Sequence, residues 1–132
     1  SSKHVEINNV KVISGRQNGD GFTFQSCTDH TVTNSFARTW DDSLVIKNYS
    51  GSTKGITFRN MQVWTDLAQS MEIGYETDKG WTLDPEISDV CLRTSPCCIT
   101  STSPLSASIT ATMRMCTPRL PQHRRRKRLH AG

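Results

Sequence analysis

The last 42 residues of the chain contain no aspartate or glutamate. All 12 acidic residues lie in 1–90 beside 8 Lys/Arg, so that part carries a formal −4. Residues 91–132 hold the other 8 Lys/Arg and carry +8. The overall charge of +4 describes neither part, and so abrupt a switch marks two segments of different character. Cysteine is scarce where acid is abundant: Cys27 stands alone in 1–90, against Cys91, Cys97, Cys98 and Cys116 beyond it. No C-x-x-C occurs and Cys97-Cys98 are adjacent, so neither a disulfide framework nor a zinc-ligand spacing is legible. No apolar run is long enough to span a membrane, and there is no signal peptide. The chain lacks an initiator Met and begins inside a strand-like pattern, as expected of an excerpt from something longer. Its 132 residues suffice for one modest domain.

A persistent 3.6-residue apolar stripe is missing as well, which speaks against helices; β-branched residues and turn formers dominate instead. What is present is a repeat of about 25 residues. Val5–Val12, His30–Ala37 and Ile56–Val63 align without gaps. The columns Ile7/Val32/Phe58 and Val12/Ala37/Val63 are apolar, with Asn9/Asn34/Asn60 between them. A second set follows in each unit: Phe22-Thr23-Phe24, Leu44-Val45-Ile46 and Met71-Glu72-Ile73. Its outer members are apolar, as period-2 alternation requires of a strand with one buried face. An ordinary β-sandwich is the competing architecture. The repeat favours an all-β right-handed parallel β-helix of about three coils over residues 1–90, with like side chains laddering through the interior. The Asn column is expected to hydrogen-bond along the stack at a bend, where Asn tolerates unusual backbone angles.

Three aspartates stand out on this frame. Asp20, within Asn18-Gly19-Asp20-Gly21, lies two residues before Phe22, and Asp42 lies two before Leu44. Gln69 lies two before Met71, and Asp41 adjoins Asp42. The repeat places Asp20, Asp42 and Gln69 at one position on successive coils. Thr23, Val45 and Glu72 are expected to face solvent nearby, with Lys47 further along the strand. Carboxylates gathered from distant sequence suit acid/base cleavage of a glycosidic bond. Asp-Gly and Asp-Asp also serve as plain turns. Stacked like charges repel, however, and raise at least one pKa, a cost that uncharged turn formers would avoid.

With these motifs the chain resembles the polygalacturonase-like glycoside hydrolases, β-helix enzymes related to family 28. Their N-T-D-G motif reads here as Asn18-Gly19-Asp20-Gly21, and their Asp-Asp pair one coil later as Asp41-Asp42. The resemblance covers about residues 4–90. It implies Asp41 as the general acid, Asp20 and Asp42 as the pair that activates water, and inversion at the anomeric centre. It implies substrate contacts from Asn18, Lys47, Gln69 and Glu72. No cofactor or metal is implied. The implied partner is a polysaccharide or oligosaccharide, with neither nucleic acid nor membrane, for a full-length monomer that is secreted or periplasmic. Two features depart from the family pattern. Gln69 stands where a G-H-G histidine would fall, and the R-I-K motif that grips a galacturonate carboxylate is absent. The related family 49 dextranase-like enzymes, which act on neutral α-glucans, fit the same residues. A non-catalytic carbohydrate-binding β-helix also fits.

The repeat ends near Asp89-Val90. Residues 91–132 lack alternation and finish in the basic run His123–Arg128. A disordered arm for nucleic acid is one reading. Back-translation, however, permits strand-like N-I-x-V units in shifted frames from near Leu92 and from Arg119. The segment is therefore expected to be a disordered or poorly structured tail, frameshifted over a gene that encodes further coils. A solenoid left without a native cap exposes strand edges, so the chain by itself is expected to be unstable and inactive.

Overall fold

The computed structural model describes residues 2–49, 51–74 and 86–93, and the short strands at 106–107 and 113–114. Among the described residues there is no helix. The strands are β1 (Lys3–Asn8), β2 (Lys11–Ser14), β3 (Phe22–Gln25), β4 (Thr28–Thr33), β5 (Phe36–Thr39), β6 (Leu44–Lys47), β7 (Thr53–Arg59), β8 (Gln62–Thr65), β9 (Met71–Ile73), β10 (Ile87–Ser88), β11 (Val90–Arg93), β12 (Ser106–Ala107) and β13 (Met113–Arg114). They form three sheets, ordered β1-β4-β7-β11-β13 with β10 also beside β7, β2-β5-β8, and β3-β6-β9-β12. Every pairing is parallel. Each sheet takes one strand from each repeat, an arrangement compatible with a parallel β-solenoid.

The gapless repeat alignment coincides with the hydrogen-bonded register. Ile7 pairs with Val32 and Val32 with Phe58; Val12 pairs with Ala37 and Ala37 with Val63. Phe22 pairs with Leu44, and Leu44 with Met71. A slip of one residue would turn these apolar columns outward, so burial itself enforces the register. Phe22, Phe24, Leu44, Ile46, Met71 and Ile73 from one sheet meet Val32, Ile56 and Phe58 from another in a single core. The Phe24 ring packs edge-on against Phe58 at 5.6 Å and against the buried His30 at 5.4 Å. His30 is satisfied there by the Thr28 carbonyl oxygen and the Ser2 hydroxyl, each at 2.8 Å.

Two columns of left-handed residues bend the strands at constant places. Asn9, Asn34 and Asn60 have φ of 57°, 52° and 52°. His4, Asp29, Gly55 and Asp89 have φ of 55°, 59°, 66° and 54°. The amide ladder expected of the Asn column forms with one change. Asn60 Nδ2 donates to Asn34 Oδ1 at 2.8 Å, but Asn34 Nδ2 donates to Asn8 rather than Asn9, at 2.9 Å.

Val45 departs from expectation more clearly. Alternation puts it on the solvent side, but it is wholly buried. Its ladder neighbours are Thr23 and Glu72, so polar side chains stand on both sides of an apolar one in the middle rung.

The ladder of β7 also continues past residue 90. Cys91, Leu92 and Arg93 pair with Thr57, Phe58 and Arg59, and Leu92 prolongs the apolar Ile7/Val32/Phe58 column. Cys27 is buried with a free thiol, whereas Cys91 is disulfide-bonded. Apart from Cys91–Arg93, β12 and β13, the expectation of a disordered tail falls outside the described residues.

Candidate active site

Three consecutive loops join the second sheet to the third. The β2–β3 loop carries Asp20, the β5–β6 loop Asp41 and Asp42, and the β8–β9 loop Gln69. Backbone bonds hold the loops in step: Gly21 N–H donates to the Asp42 carbonyl at 2.8 Å, and Ser43 N–H to the Gln69 carbonyl at 3.0 Å. Close approach explains the glycines of Asn18-Gly19-Asp20-Gly21. A Cβ at Gly21 would collide with the Ser43 carbonyl oxygen, and one at Gly19 with the Ser14 hydroxyl and the Arg16 carbonyl oxygen. Asn18 takes the left-handed conformation at φ 54°. Beneath the Asp pair, the buried Thr39 hydroxyl donates to the Asp41 carbonyl at 2.6 Å and lies 2.7 Å from the buried Ser43 hydroxyl. The turn bearing both aspartates is thus fixed from inside.

Side-chain oxygens of Asp20, Asp41 and Asp42 all lie within 4.8 Å of one another, each residue half-buried. The Asp42 carboxylate accepts the Gln69 backbone N–H at 2.7 Å. Lys47 Nζ sits 3.6 Å from Asp20 Oδ2, and the Thr23 hydroxyl donates to the same oxygen at 3.5 Å. Glu72 hydrogen-bonds Asp42. The structure therefore gathers the predicted residues on one rim: Lys47 at Asp20, with Gln69 and Glu72 at Asp42. Gln69 contributes through its backbone, and its side-chain carbonyl oxygen is shut away from solvent without a hydrogen-bond partner.

The proton lies on a residue that the sequence reading treated only as a substrate contact. Burial, then the hydrogen bond and charge of Asp42, push the Glu72 carboxyl up to about 8, against an opposing pull from Lys47. Burial also raises Asp20, with Asp41 and Asp42 adding to the effect and Lys47 opposing it. Near neutrality Glu72 is a carboxylic acid donating to the Asp42 carboxylate. Glu72 thus retains its proton beside Asp42, while Lys47 sets an ammonium beside Asp20. The oxygens of Asp20, Asp41 and Asp42 also lie close enough together to hold a metal ion.

Beside Asp41 opens a cavity of about 470 Å³ lined by Gly15, Gln17, Asn18, Trp40, Asp41 and Leu67. Asn18 thus meets the cluster on its Asp41 side. Trp40 and Leu67 escaped the sequence reading because they belong to no repeat column. Their legible signal was large apolar residues in turns next to an Asp pair. A second cavity of about 470 Å³ lies on the outer face of β1, β4 and β7, between Glu6 and Arg59.

Comparison with protein families, characterised proteins and solved structures finds no match to the chain. Among the described residues, no helix is long and apolar enough to cross a membrane.

Proposed function

We propose that the chain is part of a polygalacturonase-like glycoside hydrolase, built on a right-handed parallel β-helix of which residues 1–90 supply about three coils. The observation that carries this reading is the convergence of Asp20, Asp41 and Asp42 from two successive loops to within 4.8 Å. Asp41 gives its proton to the leaving glycosidic oxygen as the C–O bond breaks. Asp20 and Asp42 together take a proton from the water whose oxygen bonds to the anomeric carbon. Gln69 exchanges no proton and serves the site by orienting Asp42. Paired acid and base carboxyls lie about 5–5.5 Å apart in retaining enzymes and about 6.5–9.5 Å in inverting ones. The spacing here is short, but two of the three carboxylates act jointly on one water, so inversion remains the outcome proposed.

The test is hydrolysis of a panel of acidic and neutral polysaccharides by the full-length protein that carries these coils and by its Asp41→Asn variant. Turnover should fall by about 10²-fold or more, the scale of a general acid, while binding survives. Equal behaviour of the two proteins, with binding but no cleavage by either, would establish a non-catalytic carbohydrate-binding module instead. The second enzymatic reading, a dextranase-like hydrolase of neutral α-glucans, is favoured by one contact: Lys47 is occupied by Asp20.

A further inference from the structure

We infer that the cavity beside Asp41 is a sugar subsite that takes a neutral pyranose unit and rejects a uronate. This inference rests on the hydrolase reading for its place in catalysis, but the binding it asserts is measurable without turnover.

The lining has the mixed character that sugar recognition requires. Trp40 is 40% exposed and Leu67 is 68% exposed, and both present apolar surface to the same cavity. A pyranose presents C–H groups on its ring face, which cover an indole, and hydroxyls around its rim, which need hydrogen-bond partners. Gln17, Asn18 and Asp41 line the same cavity and offer both donors and acceptors. The volume, about 470 Å³, falls within the roughly 300–1,000 Å³ usual for ligand clefts.

Charge decides between sugar classes. Among the described lining residues the sole charged group is Asp41. Behind it stand Asp20 and Asp42, within 4.8 Å. Lys47, the basic residue at the cluster, is held 3.6 Å from Asp20 with its side chain only 18% exposed. A uronate carboxylate in this cavity would face aspartates and meet no cation among the described lining residues, an unfavourable electrostatic match. A neutral ring meets no such cost. Arg16, exposed and flanked in sequence by the lining residues Gly15 and Gln17, is the residue on which a uronate would have to depend.

The experiment is calorimetric titration of the full-length protein carrying Asp20→Asn, which disables the water-activating pair and leaves Asp41 in the lining, with isomaltohexaose, maltohexaose, cellohexaose and hexagalacturonate. At least one neutral oligosaccharide should bind more tightly than hexagalacturonate at low salt. Adding Trp40→Ala should weaken neutral binding by about tenfold or more, the scale of losing one aromatic anchor. Trp40→Phe should restore most of the affinity and thereby separate stacking from misfolding. Tighter binding of hexagalacturonate, lost in Arg16→Ala, would overturn the inference, and so would failure of every neutral oligosaccharide to bind. If neutral binding depends on Trp40 yet the unmutated full-length protein cleaves none of the polysaccharides, the subsite stands and the hydrolase reading falls.

Discussion

At Glu72 the physical origin of the shifted proton is simple. Its carboxyl is half-buried on β9, facing Asp42 with Asp20 beyond and Lys47 as the nearby cation. Burial disfavours the charged form, and the hydrogen bond and charge of Asp42 add to that, so the Glu72 pKa is raised from an ordinary 4.5 to about 8. The unfolded chain releases it near 4.5. Folding therefore takes up a proton between these values, and stability must fall as pH rises through that window. The contribution is fully present below about 4.5 and gone above about 8. Asp20, also raised, acts with the same sign from just above 3.8. Glu72→Gln keeps a donor for Asp42 and removes the titration. The variant should melt at a higher temperature than the unmutated protein at pH 8.5 and at a similar temperature at pH 5, followed by circular dichroism. Parallel pH dependences in the two proteins would show that Glu72 does not hold the proton.

Among the elements, the asparagine bend shows how one residue type meets two demands. Asn34 must adopt φ of 52°, and its amide bridges Asn8 and Asn60 along the stack. The left-handed conformation costs most residues about 1–2 kcal/mol but is open to Asn and Gly. Each exposed amide bond contributes about 0.5 kcal/mol, the low end of the usual range. Asn34→Ala forfeits both advantages and should lose about 2 kcal/mol in urea unfolding. Asn34→Gly keeps the backbone geometry and should lose about half as much. Equal losses in the two variants would place the whole effect in the amide ladder. The β5–β6 turn works on a similar principle with different chemistry: buried hydroxyls of Thr39 and Ser43 pin its backbone from within, leaving the Asp41 and Asp42 carboxylates to point outward.

On the scale of the whole molecule, stacking confers stability in one direction and leaves edges in it. Strand β2 pairs only with β5 among the described residues, and Ile13 on it is 77% exposed. Val5 and Val10 are also exposed on the same outer layer. An unpaired parallel edge with apolar side chains invites another chain to add on. Ile13→Lys should lower concentration-dependent association in sedimentation or light scattering. It should leave the unfolding free energy within about 0.5 kcal/mol, as for other surface changes. Unaltered association would mean that this edge is not where chains meet.

The sequence by itself determined the register. Period-2 alternation within each unit, repeated with constant spacing, leaves one alignment that buries every apolar column, and that alignment is the observed pairing of Ile7 with Val32 and of Val32 with Phe58. It also set Asp20, Asp42 and Gln69 on equivalent rungs, because their offset from those columns is constant. Tertiary structure decided what no column records. Val45 is buried although its neighbours Thr23 and Glu72 are polar, since burial depends on what lies over a strand as well as on its alternation. Asn8 replaced Asn9 in the ladder, since side chains reach diagonally across a bend. Lys47 is committed to Asp20, and Trp40 and Leu67 frame a cavity, because loops outside the repeat fold against one another. The proton on Glu72 belongs to the same class. A pKa is set by distance and burial among groups far apart in sequence, and those exist only once the coils have stacked.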